Sequence, residues 1–199
     1  MSVRILGRLA AAMLLAAGLA GCIDVSVDVA ITSPTTAKAT MTQVMGADFY
    51  AMVKMSAEDD AADEDGFCAE GELAENADGG ATCTIFEEGA FADLDLGQDE
   101  GGMTFTEVSP GVIRVALPTA DMQAELGDEN EMDAETRQMA EAFFAGRTLT
   151  VAVSGAEIIE TNMTLSADRK RAEQVIALLD LINGTTALPD ELFAVVRAP

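Results

Sequence analysis

Histidine and tryptophan are absent from the 199 residues, Tyr50 is the one tyrosine, and lysine plus arginine number 11 against 35 aspartates and glutamates. Without histidine there is no Ser-His-Asp or Cys-His arrangement, no imidazole metal ligand, and none of the commonest general base near neutral pH. Neither Gly-x-x-x-x-Gly-Lys nor Gly-x-Gly-x-x-Gly occurs, so the phosphate-cradling loop and the dinucleotide fingerprint are missing too. Carboxylates are plentiful, but a glycosidase pair has to be held about 5–10 Å apart across a cleft, and abundance supplies no such geometry. The shortage of tyrosine and tryptophan further weakens a sugar-binding groove. The expectation is a chain with no catalytic residues and no cofactor.

Basic charge is scarce as well. The formal net charge of −24 opposes broad binding to nucleic acid or to anionic lipid headgroups, both of which would be repelled at long range. Long apolar runs are also missing: the most apolar stretch, Leu9–Ala20, has 12 residues, where a helix needs about 20 to cross a bilayer. Arg4 and Arg8 precede it and Leu19-Ala20-Gly21-Cys22 closes it, so residues 1–21 read as a processing signal. Those four residues resemble the lipobox of bacterial lipoproteins, which implies cleavage before Cys22 and acylation of its thiol and new amino group. More than one acyl chain gives stable anchoring, whereas one short chain binds only marginally. Ile23 follows the cysteine where the inner-membrane retention signal resembles an Asp, and Asp24 is one place too late. Attachment to the outer membrane, facing the periplasm, is therefore expected. Removal of residues 1–21, which carry two arginines and no carboxylate, leaves 178 residues and a formal charge of −26, of a length expected for one domain over residues 22–199.

The charge is unevenly placed. Between Lys54 and Arg114 stand 17 carboxylates and no basic residue. This density favours a solvated acidic insertion near residues 57–102. Asp93-Leu94-Asp95-Leu96-Gly97-Gln98-Asp99-Glu100 is its closest approach to a calcium loop. The pattern fails at Gly97, where a third oxygen ligand belongs, and at Gln98, where the glycine belongs. No metal site is expected. The insertion also holds Cys68 and Cys83, an even pair in an exported chain, with no histidine or further thiol to complete a zinc shell; a structural disulfide is expected.

Apolar periodicity outlines the elements. Ile23, Val25, Val27, Val29 and Ile31 alternate with Asp24, Ser26, Asp28 and Ala30, the period of a half-buried strand. Ser33-Pro34-Thr35-Thr36 predicts a turn and Ala37–Val44 an antiparallel return. Ala47–Met55 reads as a helix directing Met45, Phe49, Met52 and Val53 inward. Strands are expected at Ala81–Phe86, Met103–Val108 and Gly111–Leu117. A helix with an Asp128/Glu131 capping box is expected to carry Met132, Thr136, Met139 and Phe143 on one stripe. Thr148–Val153 and Ala156–Leu165 suggest a hairpin around Ser154-Gly155. Val175, Ile176, Leu179 and Ile182 suggest a helix over Asp168–Ile182, and Glu191–Val196 a last strand. The fold class expected is α+β, an antiparallel sheet with helices on one side. Arg147, Arg169, Lys170 and Arg171 read as a helix-end charge and a solvated turn in preference to a basic patch.

Several segments resemble the LppM-type bacterial lipoprotein domain: Cys22-Ile23-Asp24-Val25 through Thr40-Met41-Thr42, Phe49-Tyr50-Ala51-Met52, Phe144-Ala145-Gly146, Val153-Ser154-Gly155, Glu160-Thr161-Asn162 and Leu192-Phe193-Ala194-Val195-Val196-Arg197. The resemblance covers most of the chain after Cys22, and its motifs are short and structural. It implies a curved antiparallel sheet around helices, similar to lipid-transfer folds, and binding of lipid or glycolipid in an apolar cavity at the cell envelope. The alternative is a structural or assembly lipoprotein that binds another envelope protein. This chain departs from the family in the helical look of Asp168–Ile182, in the acidic insertion and in lacking a C-terminal transmembrane segment. An enclosed apolar volume large enough for acyl chains separates the two readings from each other.

Overall fold

A computed structural model describes residues 23–59, 68, 69, 71–96, 102–119, 141, 144–183 and 185–199. Cys22, the helix expected between Asp128 and Phe143, and residues 97–100 of the acidic loop lie outside the described residues. The elements in chain order are β1 (Ile23–Ile31), β2 (Thr36–Met45), α1 (Ala47–Asp59), β3 (Glu72–Glu75), β4 (Ala81–Ala90), β5 (Thr104–Ser109), β6 (Val112–Pro118), β7 (Thr148–Ser154), β8 (Glu157–Thr161), β9 (Thr164–Leu165), β10 (Arg171–Ala177), α2 (Leu178–Ile182) and β11 (Glu191–Arg197). No described helix is long and apolar enough to cross a membrane.

The strands form two sheets, in the orders β3-β4-β2-β1-β7-β10-β9 and β5-β6-β11-β8. At the centre of the larger one, β1 pairs antiparallel with β2, from Ile23 opposite Met45 to Ile31 opposite Ala37, and parallel with β7, from Val25 opposite Leu149 to Ala30 opposite Ser154. The alternating apolar residues of β1 face inward: Val29 and Ile31 are buried beside Val151 and Val153 of β7 and Ala172 and Ile176 of β10. The inner face of the smaller sheet supplies Ile113, Val115, Ile158, Leu192, Ala194 and Val196 to the same core. Sheet packs on sheet, and their apolar faces leave water together.

The curved antiparallel sheet expected from the sequence is not what forms. The large sheet is mixed, a second sheet covers part of it, neither is strongly curled, and the described helices are two small ones. One local cause of the parallel pairing is Asp24. Its carboxylate accepts hydrogen bonds from the Thr148 backbone N–H at 2.8 Å and from Arg147 at 3.0 Å, holding the start of β7 beside the start of β1. The hairpin expected around Ser154-Gly155 is also replaced. There the chain leaves the large sheet for the small one, so that β7 lies between β1 and β10 while β8 pairs with β11. The helix expected over Asp168–Ile182 is a strand, β10, followed by one helical turn. Ala172 and Ile176 point inward at strand spacing while Val175 is exposed.

Gly155 occupies the crossing between the sheets because nothing larger fits. A Cβ there would stand 2.3 Å from Cγ1 of Val196 and 3.2 Å from the Arg197 carbonyl oxygen. Val196 is itself fully buried in the core. Gly155→Ala is therefore expected to lower unfolding stability by about 1–3 kcal/mol through overpacking, read as a fall in the urea midpoint at unchanged slope.

Candidate functional site

The end of the large sheet where β1 begins is finished differently from its middle. Ile23 lies opposite Met45, and Met45 lies opposite Ala81, so the three form a row across β1, β2 and β4. Here α1 covers the inner face. Tyr50 joins Ile23, Met45 and Ala81 in a small separate core, with Val25, Phe49 and Val53 packed against it. Gly46 turns the chain into the helix and the Tyr50 N–H donates to its carbonyl. The sequence expected Met52 to point inward with Phe49 and Val53; instead it is half exposed, because Tyr50 takes the inward position.

Between α1 and the turn that joins β3 to β4 lies an open cleft of about 420 Å³, lined by Tyr50, Ala51, Lys54, Met55, Glu75, Asn76 and Gly79. The turn is fixed by hydrogen bonds from the Gly80 N–H to the Asp78 carboxylate and from the Asn76 N–H to the Gly80 carbonyl, and Gly79 adopts a φ of 90° that favours glycine. Across the cleft, Glu75 accepts hydrogen bonds from Lys54 at 2.9 Å and from the Tyr50 hydroxyl at 3.2 Å, and the Lys54 ammonium lies 5.2 Å from the centre of the Tyr50 ring. The bond from Lys54, then that from Tyr50, hold the Glu75 carboxyl below the usual carboxylate range. Burial, reinforced by Glu75, pushes the Tyr50 hydroxyl up. At neutral pH Glu75 is thus charged and Tyr50 protonated, a pairing that ties α1 to the turn and leaves no poised base.

Glu75 therefore favours the folded state above the usual carboxylate range, and this contribution disappears as the pH falls through its lowered folded-state value. Lys54→Met is expected to move the Glu75 titration upward, toward that of an ordinary glutamate, and Tyr50→Phe to move it less. Carbon-13 NMR of the Glu75 carboxyl against pH checks both.

A second hollow among the described residues is much smaller than the cleft. The hollow on the inner face of the large sheet, lined by Val27, Ala39, Met41, Ile85 and Leu96 among others, holds about 20 Å³. That suits roughly one water, whereas small-molecule pockets run to about 300–1,000 Å³.

The residues singled out in the sequence are distributed rather than gathered. Cys68 and Cys83 are joined by a disulfide, with Cys83 fully buried on the inner face of β4. Asp93 and Asp95 follow β4, where the Asp95 N–H donates to Glu87, and no group of three or more potential metal ligands occurs among the described residues. The four basic residues form no patch: Arg147 pairs with Asp24, while Arg171 pairs with Asp28 and Glu173 at the other end of β7. Arg169 has a φ of 57° and donates to the Ile158 carbonyl. The cleft pair Lys54–Glu75 was missed because its members are far apart in sequence. The local hint was the lone Tyr50 beside Lys54, the last basic residue before the acidic stretch.

No protein-family model matches the chain, and no curated protein matches it. Among solved structures, it is similar to the folded domain of LppM from Mycobacterium tuberculosis, determined by NMR, at 11% sequence identity and a TM-score of 0.47, covering 89% of this chain and 90% of that one.

Proposed function

We propose that this chain is a non-enzymatic bacterial envelope lipoprotein, anchored through an acylated Cys22 to the outer membrane with residues 22–199 as one domain in the periplasm, and that it works as a binding module through its surface. The observation that carries the reading is the join between Leu19-Ala20-Gly21-Cys22 and β1: the processing signal ends one residue before the central sheet begins. A cleft whose carboxylate, lysine and phenol are tied to one another supports binding over catalysis. Intact-mass analysis of protein extracted from membranes is expected to show a chain beginning at acylated Cys22. An unmodified Cys22, or retention of residues 1–21, rejects the anchor.

Two kinds of ligand divide the reading. The first is an envelope-protein partner held by the surface; the hollow of about 20 Å³ on the inner face of the large sheet is itself too small for an acyl chain. The cleft beside Tyr50 favours a lipid or glycolipid, bound by its headgroup at the surface. Native mass spectrometry of the extracted protein, followed by lipid analysis, separates them. A stoichiometric lipid lost on Lys54→Met supports the second, and its absence supports the first.

A further inference from the structure

We propose that α1 and the β3–β4 turn form the membrane-facing end of the protein, with Met52 and Met55 seated in the lipid interface. The inference rests on the acylated Cys22 proposed above. Consecutive Cα atoms are about 3.8 Å apart, so the acyl-bearing residue stands within one peptide unit of Ile23. A flexible linker of n residues would let the body stand off by about 5–6 Å × √n, but β1 begins with no linker at all. Whatever surrounds Ile23 is therefore held against the bilayer. Those surroundings are Met45, Ala81, the first turn of α1 and the Gly79-Gly80 turn, where a Cβ on Gly80 would stand 2.4 Å from the Met45 carbonyl oxygen and one on Gly79 3.4 Å from Ala47.

This end carries exposed apolar surface. Met55 is 70% exposed and Met52 51%, three residues apart and so on neighbouring positions of one helix face. Methionine is apolar and flexible, suited to an irregular lipid boundary. Met55 also lines the cleft, which consequently opens at the same level. Charge does not provide the attraction. Lys54 is engaged by Glu75 and Arg147 by Asp24, and Asp48 and Asp78 add negative charge nearby. The contact is accordingly apolar, indifferent to salt and in no need of anionic lipid.

The far end of the molecule supplies the control. A Cβ on Gly155 there would stand 2.3 Å from Val196 and 3.6 Å from Ile31, and the exposed Val108 sits beside the turn that opens β6 opposite Arg197. Because the chain has no tryptophan, Met55→Trp and Val108→Trp each introduce a single reporter. The acylated full-length protein, its mass verified, is placed in phosphatidylcholine vesicles carrying brominated acyl chains. Insertion by about 5–10 Å predicts blue-shifted emission and roughly threefold or greater quenching of Met55→Trp relative to Val108→Trp, unchanged in high salt. Equal quenching of the two, or quenching of neither in acylated protein, overturns the orientation while leaving the anchor intact. A mass without acyl groups overturns the anchor and the orientation together.

Discussion

Replacing Ile113 by alanine is expected to destabilise the protein by roughly 2–5 kcal/mol, the range for removing a large aliphatic side chain from a close-packed core. Ile113 lies opposite Val196, and Val196 opposite Ile158, a row across three strands of the small sheet in which every member is 0% exposed. This row meets Val29, Ile31 and Val153 of the large sheet in one continuous core. Truncation leaves a hole that neighbours fixed in two sheets fill only in part, so the loss exceeds the transfer energy of the missing carbons. Ile159, the next residue along β8 from Ile158, is 40% exposed on the opposite side. Ile159→Ala is accordingly expected to cost less than about 1 kcal/mol. Urea denaturation of the two variants checks the contrast, which depends on position and not on residue type.

How much of this was legible in the sequence depended on how local the cause was. The alternation from Ile23 to Ile31 is a property of nine consecutive residues and predicts both the strand and its buried face. Ser33-Pro34 likewise marks the turn into β2, closed by the Thr32 and Ser33 N–H groups on the Thr36 carbonyl. Around β10 local evidence misled, because Val175, Ile176, Leu179 and Ile182 satisfy a helical period although they span a strand and the helical turn after it. At Ser154-Gly155 a turn signature was present and a change of direction followed, but the partner strands were chosen elsewhere. The parallel pairing of β1 with β7 joins segments more than a hundred residues apart, and the Asp24–Arg147 pair that helps hold it has no local signature.

The site followed the same division. The bond between Cys68 and Cys83 was legible from an even pair of cysteines in a chain expected to be exported. The cleft was not, since it requires α1, β3 and the Asn76–Gly80 turn to converge, and only the fold places Glu75 against Lys54 and Tyr50. Asp24 shows the converse. Read in the sequence for its distance from Cys22, it has a structural task in the fold, accepting the Thr148 N–H and the Arg147 guanidinium at the start of the central parallel pair.

Removing the disulfide by replacing Cys68 and Cys83 together with alanine is expected to cost on the order of 3 kcal/mol, the loop-closure value for a separation of about 15 residues. The loop it closes contains all of β3 and the turn into β4. The four residues of β3 are exposed, the strand lies at the edge of the large sheet, and β4 is its one described strand partner. Local loosening should therefore accompany the global loss. Hydrogen exchange is expected to accelerate at the Glu72 and Ala74 amides, which face β4, well before it does at Val151 or Val153, which lie between two strands in the centre of the sheet. Because Glu75 forms one wall of the cleft, its bond to Lys54 should weaken and its carboxyl titration should rise toward the ordinary range. If the double variant loses stability while the β3 amides and the Glu75 titration stay unchanged, the disulfide acts on the unfolded chain only. If all three change together, it also holds the cleft in shape.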